Sequence, residues 1–142
     1  MLVSLVLAAG LTGCKENARP QPPDANSKEM KRAGKLPAEF YGTWKFQGSS
    51  GGMDGQGNAN YRLEKIVLRA PNTLEEHHAG GTVTRGTFTV GRGKSIFSGG
   101  DAWLMQRPNS SIIQVLTLST NRQLTISENV YDGYSYSFKR VE

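Results

Sequence analysis

One stretch of the chain gathers side chains of the kind that bind metals or move protons: "TLEEHHAGG", residues 73–81. Read as a strand, it places Glu75 and His77 on one face and Glu76 and His78 on the other. Each face then carries a single imidazole and a single carboxylate. A zinc site needs three or four ligands, so Asp101, Glu128 or Asp132 would have to supply the rest. A solvated polar strand is the plainer reading, and no metal site or cofactor is assigned. Serines are plentiful, but the Gly-x-Ser-x-Gly turn that exposes a nucleophile is absent. "GRGKS", residues 91–95, lacks the leading glycine of a phosphate loop and runs from one strand pattern into another. Asp54, Gln56, Asn58 and Asn60 alternate as a calcium loop begins. However, Ala59 and Lys65 stand where that loop needs Gly and Glu. No catalytic set emerges, and the chain is not expected to be an enzyme.

The sole cysteine, Cys14, follows an uncharged apolar run, "LVSLVLAAGL", residues 2–11. About ten residues are too few to span a bilayer, which takes roughly twenty as a helix. The run has the length of the hydrophobic region of a secretion signal, although the basic residues that usually precede it are missing. It ends in Leu11-Thr12-Gly13-Cys14. This resembles the lipobox of bacterial lipoproteins. The resemblance implies that residues 1–13 are a signal peptide cleaved before Cys14 and that the Cys14 thiol carries a diacylglycerol. It also implies that two or three acyl chains anchor the protein. Each buried methylene adds about 0.8 kcal/mol, so two or more chains hold where one binds reversibly. Lys15 follows the cysteine, where Asp would signal inner-membrane retention in enterobacterial lipoproteins. The implied location is the bacterial cell envelope, as an outer-membrane lipoprotein facing the periplasm.

Cys14 and residues 15–36 form the next unit, a disordered N-terminal tether. "KENARPQPPDANSKEMKRAGKL" is poor in apolar residues, and Pro20, Pro22 and Pro23 oppose helix. A coil of this length averages roughly 25 Å end to end. It carries six Lys/Arg against three Asp/Glu, while residues 37–142 carry eleven against nine. Much of the net charge of +5 therefore sits on the tether. A nucleic-acid binder concentrates its charge on a folded face, so nucleic acid is not expected as a partner. Lys28, Lys31, Arg32 and Lys35 either lie against anionic headgroups or are simply solvated.

What must position any site is the domain spanning residues 37–142. Short β-rich runs alternate there with Gly, Asn, Asp and Ser breaks. Strands are predicted near 41–48, 61–69, 73–78, 82–90, 94–98, 102–107, 111–118, 123–128 and 134–141. In "YSYSFKRV", Tyr134, Tyr136 and Phe138 share one face. In "SIIQVLTLS", Gln114 shares a face with Ile112, Leu116 and Leu118, opposite Ile113 and Val115. Trp103 and Met105 oppose Leu104. No helical period is sustained and no repeat recurs. The fold class is all-β, a small antiparallel up-and-down β-barrel, with a β-sandwich as the alternative. A lone cysteine leaves the fold to burial, without an internal disulfide.

"PAEFYGTWKF" sets Gly42-Thr43-Trp44 at the head of the first strand. This resembles the G-x-W signature of lipocalins and related calycin barrels. The resemblance implies that Trp44 closes the barrel's base and that a basic residue of the last strand packs across its ring. Arg140 is in phase with Phe138 and fits that part. The glycine-rich loop 48–60 matches the position of the lipocalin lid, or is an insertion. Tyr131, Tyr134, Tyr136 and Trp103 are candidate binding residues, being large, rigid and amphipathic, or else complete the core. The function expected is non-catalytic binding by a membrane-anchored periplasmic or surface lipoprotein. The favoured partner is a protein, met as an inhibitor, an immunity protein or an envelope-assembly factor. The alternative is a lipocalin-like carrier of a small apolar ligand. A packed lumen favours the first and an open apolar lumen the second.

Overall fold

Alternating side chains need one buried face, and a single curled sheet supplies it. The structure, a computed structural model, describes residues 30–32, 34–58 and 61–141. Cys14, residues 1–13 expected as a signal peptide, and residues 15–29 of the expected tether lie outside the described residues.

Ten strands follow in chain order: β1 Lys31–Arg32, β2 Gly42–Gly51, β3 Leu63–Arg69, β4 Thr73–His78, β5 Val83–Thr87, β6 Thr89–Lys94, β7 Asp101–Gln106, β8 Ile113–Leu118, β9 Gln123–Glu128 and β10 Tyr134–Val141. A 3-10 turn, Ala38–Phe40, leads into β2. The sheet order is β1-β6-β7-β8-β9-β10-β2-β3-β4-β5, and its paired neighbours are antiparallel. Consecutive strands from β2 to β5 and from β6 to β10 pair with one another, and β10 returns to β2. β5 and β6 are halves of one bent run. The first half pairs with β4 and the second with β7. Counted as one strand, they give the eight strands of a small up-and-down barrel.

The register drifts around the sheet, as tilted barrel strands require. From Ser49 the lateral neighbours are Tyr136, Ile126, Leu116, Trp103 and Arg92. From Trp44 the other way they are Ile66, Glu76 and Thr84. Both circuits reach the same bent strand, well apart along it.

The bend lies at Phe88, which is buried. The sequence predicts an unbroken strand over 82–90. The break arises because the run changes partner there. Phe88 donates its N–H to the Asn72 carbonyl in the β3–β4 turn, 3.1 Å away. Past that point, β1 covers the free edge of β6 by pairing Lys31 with Arg92 and Arg32 with Gly91. Gly91 is needed for this close approach, since a Cβ would stand 2.5 Å from the Lys31 carbonyl oxygen.

The strand predicted at 94–98 is absent; β6 already ends at Lys94. Ser95 Oγ accepts from the Phe97 N–H and opens a turn that closes with Ser95 N–H to Gly100 O. Such local side-chain bonds compete with the sheet ladder. The buried Asn129 side chain then takes up the strand-like groups of the turn. Its Oδ1 accepts from Ile96 N–H at 2.9 Å and its Nδ2 donates to the Lys94 carbonyl at 3.1 Å.

Inside the curl, Trp44, Ile66, Leu74, Phe88, Met105, Leu116, Leu124 and Phe138 belong to one buried cluster. Leu104, Ile113 and Val115 point the opposite way and form a second cluster with Met30 and Ala102. The two faces expected for "SIIQVLTLS" and for Trp103, Leu104 and Met105 are thus the faces observed. The fold is an all-β small antiparallel barrel with one interior. The sandwich would need two facing sheets.

Candidate functional site

The base of the barrel is built by its first and last strands. Trp44 is fully buried, and its indole N–H donates to the Phe40 carbonyl at 2.9 Å. Arg140, paired with Trp44 across the β2–β10 ladder, lays its guanidinium carbon 4.7 Å from the Trp44 ring centroid. The Arg140 Nη2 donates to the carbonyls of Glu39, at 2.6 Å, and Tyr41, at 2.8 Å. At Gly42, φ is +138°, and a Cβ would come within 3.5 Å of the same guanidinium. Glycine, tryptophan and arginine therefore form one structural clasp.

The interior is apolar near the base and polar towards the other end. Three strands carry this change in phase with their apolar residues. Gln114 precedes Leu116 on β8, Glu128 follows Ile126 on β9, and Arg107 follows Met105 just beyond β7. Arg107 Nη1 donates to Glu76 Oε1 of β4 at 2.8 Å. This ion pair crosses the seam where β5 is not paired with β7. The Thr84 hydroxyl of β5 donates to the other Glu76 oxygen at 3.3 Å. Arg107 also hydrogen-bonds the Tyr61 hydroxyl, whose proton is held above the usual tyrosine range by burial and by the Glu76 charge. The Tyr61 ring packs 4.5 Å from Tyr136 and edge-on to Phe46 at 5.7 Å. Burial likewise raises Tyr136, with Glu128 adding to the effect and Asn58 opposing it by a hydrogen bond.

Two small cavities meet at Arg107. One, about 210 Å³, lies against Tyr61, Arg107, Gln114, Glu128 and Tyr136. The other, about 280 Å³, opens at the seam beside Glu76, Thr84 and Arg107. Both fall below the roughly 300–1,000 Å³ of ligand pockets that enclose drug-sized molecules.

The candidate aromatic residues do not converge. Tyr134 and Tyr136 turn into the barrel 6.3 Å apart. Trp103 packs against Phe40 on the core and lies under Arg92, 4.9 Å from the guanidinium carbon. Tyr131 stands apart from these, 89% exposed in the β9–β10 loop. Residues 48–51 of the loop predicted over 48–60 belong to β2, and the described residues after them fold back on that strand through Gly57 N–H to Gly51 O and Asn58 N–H to Ser49 Oγ.

The His-bearing strand divides as its alternation requires. Glu75 is buried and gathers Arg69 Nε at 3.1 Å, Arg85 Nε at 3.4 Å and His77 Nε2 at 3.4 Å. Hydrogen bonding from Arg69 foremost holds the Glu75 carboxyl below the usual glutamate range, against the opposing effect of burial. Among the described residues no group of three or more His, Cys, Asp or Glu could hold a metal ion.

Sequence reasoning missed Arg107, Tyr61 and Gln114 as a group. The available signal was polar residues in the apolar phase of strands, as Arg107 is after Trp103 and Met105. No protein-family model matches the chain, and no significant match appears among curated proteins or solved structures.

Proposed function

We propose that this chain is a bacterial envelope lipoprotein, anchored through Cys14 at the outer membrane, whose barrel binds a protein partner without catalysis. The observation that carries the binding mode is the contrast between interior and loops. The base of the lumen is filled by its own Trp44, Phe138, Leu124 and Met105, each almost fully buried. Large apolar side chains meanwhile stand outside: Met53 is 97% exposed, Tyr131 89% and Phe97 58%. Their three loops are stitched together. Gly52 N–H bonds Gly133 O, and Ile96 N–H bonds Asn129. Large apolar groups exposed on loops that are tied to one another are a feature of protein-contact surfaces. The Gly42–Trp44–Arg140 clasp supports the likeness to calycin barrels.

The test is capture of the anchored protein from its host envelope, beside a variant carrying Tyr131→Ala and Phe97→Ala. The expected result is one stoichiometric protein partner that the variant retains at least tenfold less well. A small apolar molecule in native mass spectra, with no protein retained, would replace this reading with that of a carrier.

A further inference from the structure

Three lysines stand side by side across the outer surface of the barrel. The β2–β10 register sets Lys139 against Lys45, and the β2–β3 register sets Lys45 against Lys65. Each is exposed and adjoins a buried, inward residue in sequence: Phe138, Trp44 and Ile66 respectively. Among the described residues none of the three forms an ion pair. Beyond Lys139 the next lateral neighbour is Gln123, and beyond Lys65 it is His77. The carboxylate nearest His77, that of Glu75, is already shared with Arg69 and Arg85. Like charges directly opposite one another weaken a sheet, so the fold itself gives no reason for the row.

A groove of about 580 Å³ adjoins the row. Lys45 and Lys65 line it together with Phe46, Leu63, Glu64 and Val141. It lies where the β2–β3 ladder ends, at the Lys45–Lys65 pair. Val141 is 44% exposed, and Phe46 is half-buried against the core. Glu64 offsets one charge, which leaves three ammonium groups against one carboxylate. The volume falls within the roughly 300–1,000 Å³ of sites that take one small molecule. A simple anion would satisfy the lysines and leave the apolar lining in water. A hydrocarbon chain alone would leave the lysines without a counter-charge. A molecule with a charged head and an apolar tail meets both demands.

We propose that this outer groove binds a single anionic amphiphile, its head on Lys45, Lys65 and Lys139 and its chain against Phe46, Leu63 and Val141. The site lies outside the lumen. The inference rests neither on the lipid anchor nor on the loop surface.

The test uses the full chain carrying Cys14→Ser, so that no acyl chain of its own can compete. The probe is dodecyl phosphate below its micelle-forming concentration, followed by calorimetry and by the NMR signals of Phe46 and Val141. Dodecylphosphocholine keeps the chain and the phosphate but cancels the charge, and inorganic phosphate keeps the anion alone. Saturable binding of dodecyl phosphate is expected, with both sets of signals shifted and both controls weaker by about tenfold or more. Exposed ion pairs are individually weak, so Lys45→Gln, Lys65→Gln and Lys139→Gln are combined, and together should weaken the probe about tenfold. That variant should melt no lower than wild type, because it relieves a row of like charges. The proposal is overturned if dodecyl phosphate does not saturate, or saturates without moving the Phe46 and Val141 signals. Inorganic phosphate binding as tightly would reduce the site to a simple anion site and overturn it. Equal binding of dodecylphosphocholine, or unweakened binding to the folded triple variant, would overturn it as well.

Discussion

Arg140 satisfies three surroundings with one planar group. It covers an indole, and it donates to two carbonyls that the 3-10 turn and the chain after it leave open. A cation over an aromatic face contributes about 0.5–2 kcal/mol, and each hydrogen bond to a charged donor about 1.5–3 kcal/mol before exposure discounts it. Arg140→Ala should therefore destabilise the domain by about 2–4 kcal/mol in urea unfolding. Arg140→Lys keeps the charge but loses the planar fork, and should restore less than half of that loss. A cost below about 0.5 kcal/mol for the alanine variant would mean that the clasp is ornamental. The part of Arg140 was legible in advance, because its phase on the last strand and the chemistry of Trp44 agree. Arg107 was not legible, because its partner Glu76 is adjacent only after the sheet has curled.

β5 illustrates how an element survives without a hydrophobic face. All five of its residues, from Val83 to Thr87, are exposed. Its hold on β4 rests on the ladder and on polar links from Glu75 to Arg85 and from Glu76 to Thr84. Glu75 also reaches back to Arg69 of β3, so one carboxylate ties three strands. Because its folded carboxyl titrates below the usual 4.5, the unfolded chain binds a proton in the acid range that the folded chain refuses. The stabilisation is complete above pH 4.5 and is lost as pH falls through the lower folded value. Hydrogen exchange should show β4 and β5 amides opening first on acidification. Glu75→Gln should flatten that pH dependence, and an unchanged profile would remove Glu75 from the account. Most strands were readable from alternation. The break at Phe88 was not, because a change of partner leaves no mark on a run of alternating residues. The turn at 95–100 was missed because its stabilising amide, Asn129, lies far along the chain.

At the scale of the whole molecule, location is proposed from a short motif while architecture rests on the sheet. The two can be tested apart. Cys14→Ser should move the protein from the membrane pellet to the soluble fraction without altering the melting temperature of the barrel. Retention in the pellet would refute lipid anchoring and leave the fold untouched. The choice of binding partner was the least legible property. The surface proposed for it lies on loops stitched together by backbone bonds such as Gly52 to Gly133, which no local pattern announces.

The pairing of β10 with β2 joins the two ends of the domain, setting Arg140 against Trp44 and Val141 against Thr43. Contacts so distant in sequence form slowly, because the closing of the intervening chain costs entropy before any contact repays it. Seven strands of hairpins can assemble as they appear, but the seal on Trp44 waits for residue 140. A chain still threading out of a ribosome or across a membrane therefore holds its tryptophan unsealed until the last strand arrives, and the final few residues act as the timer of folding.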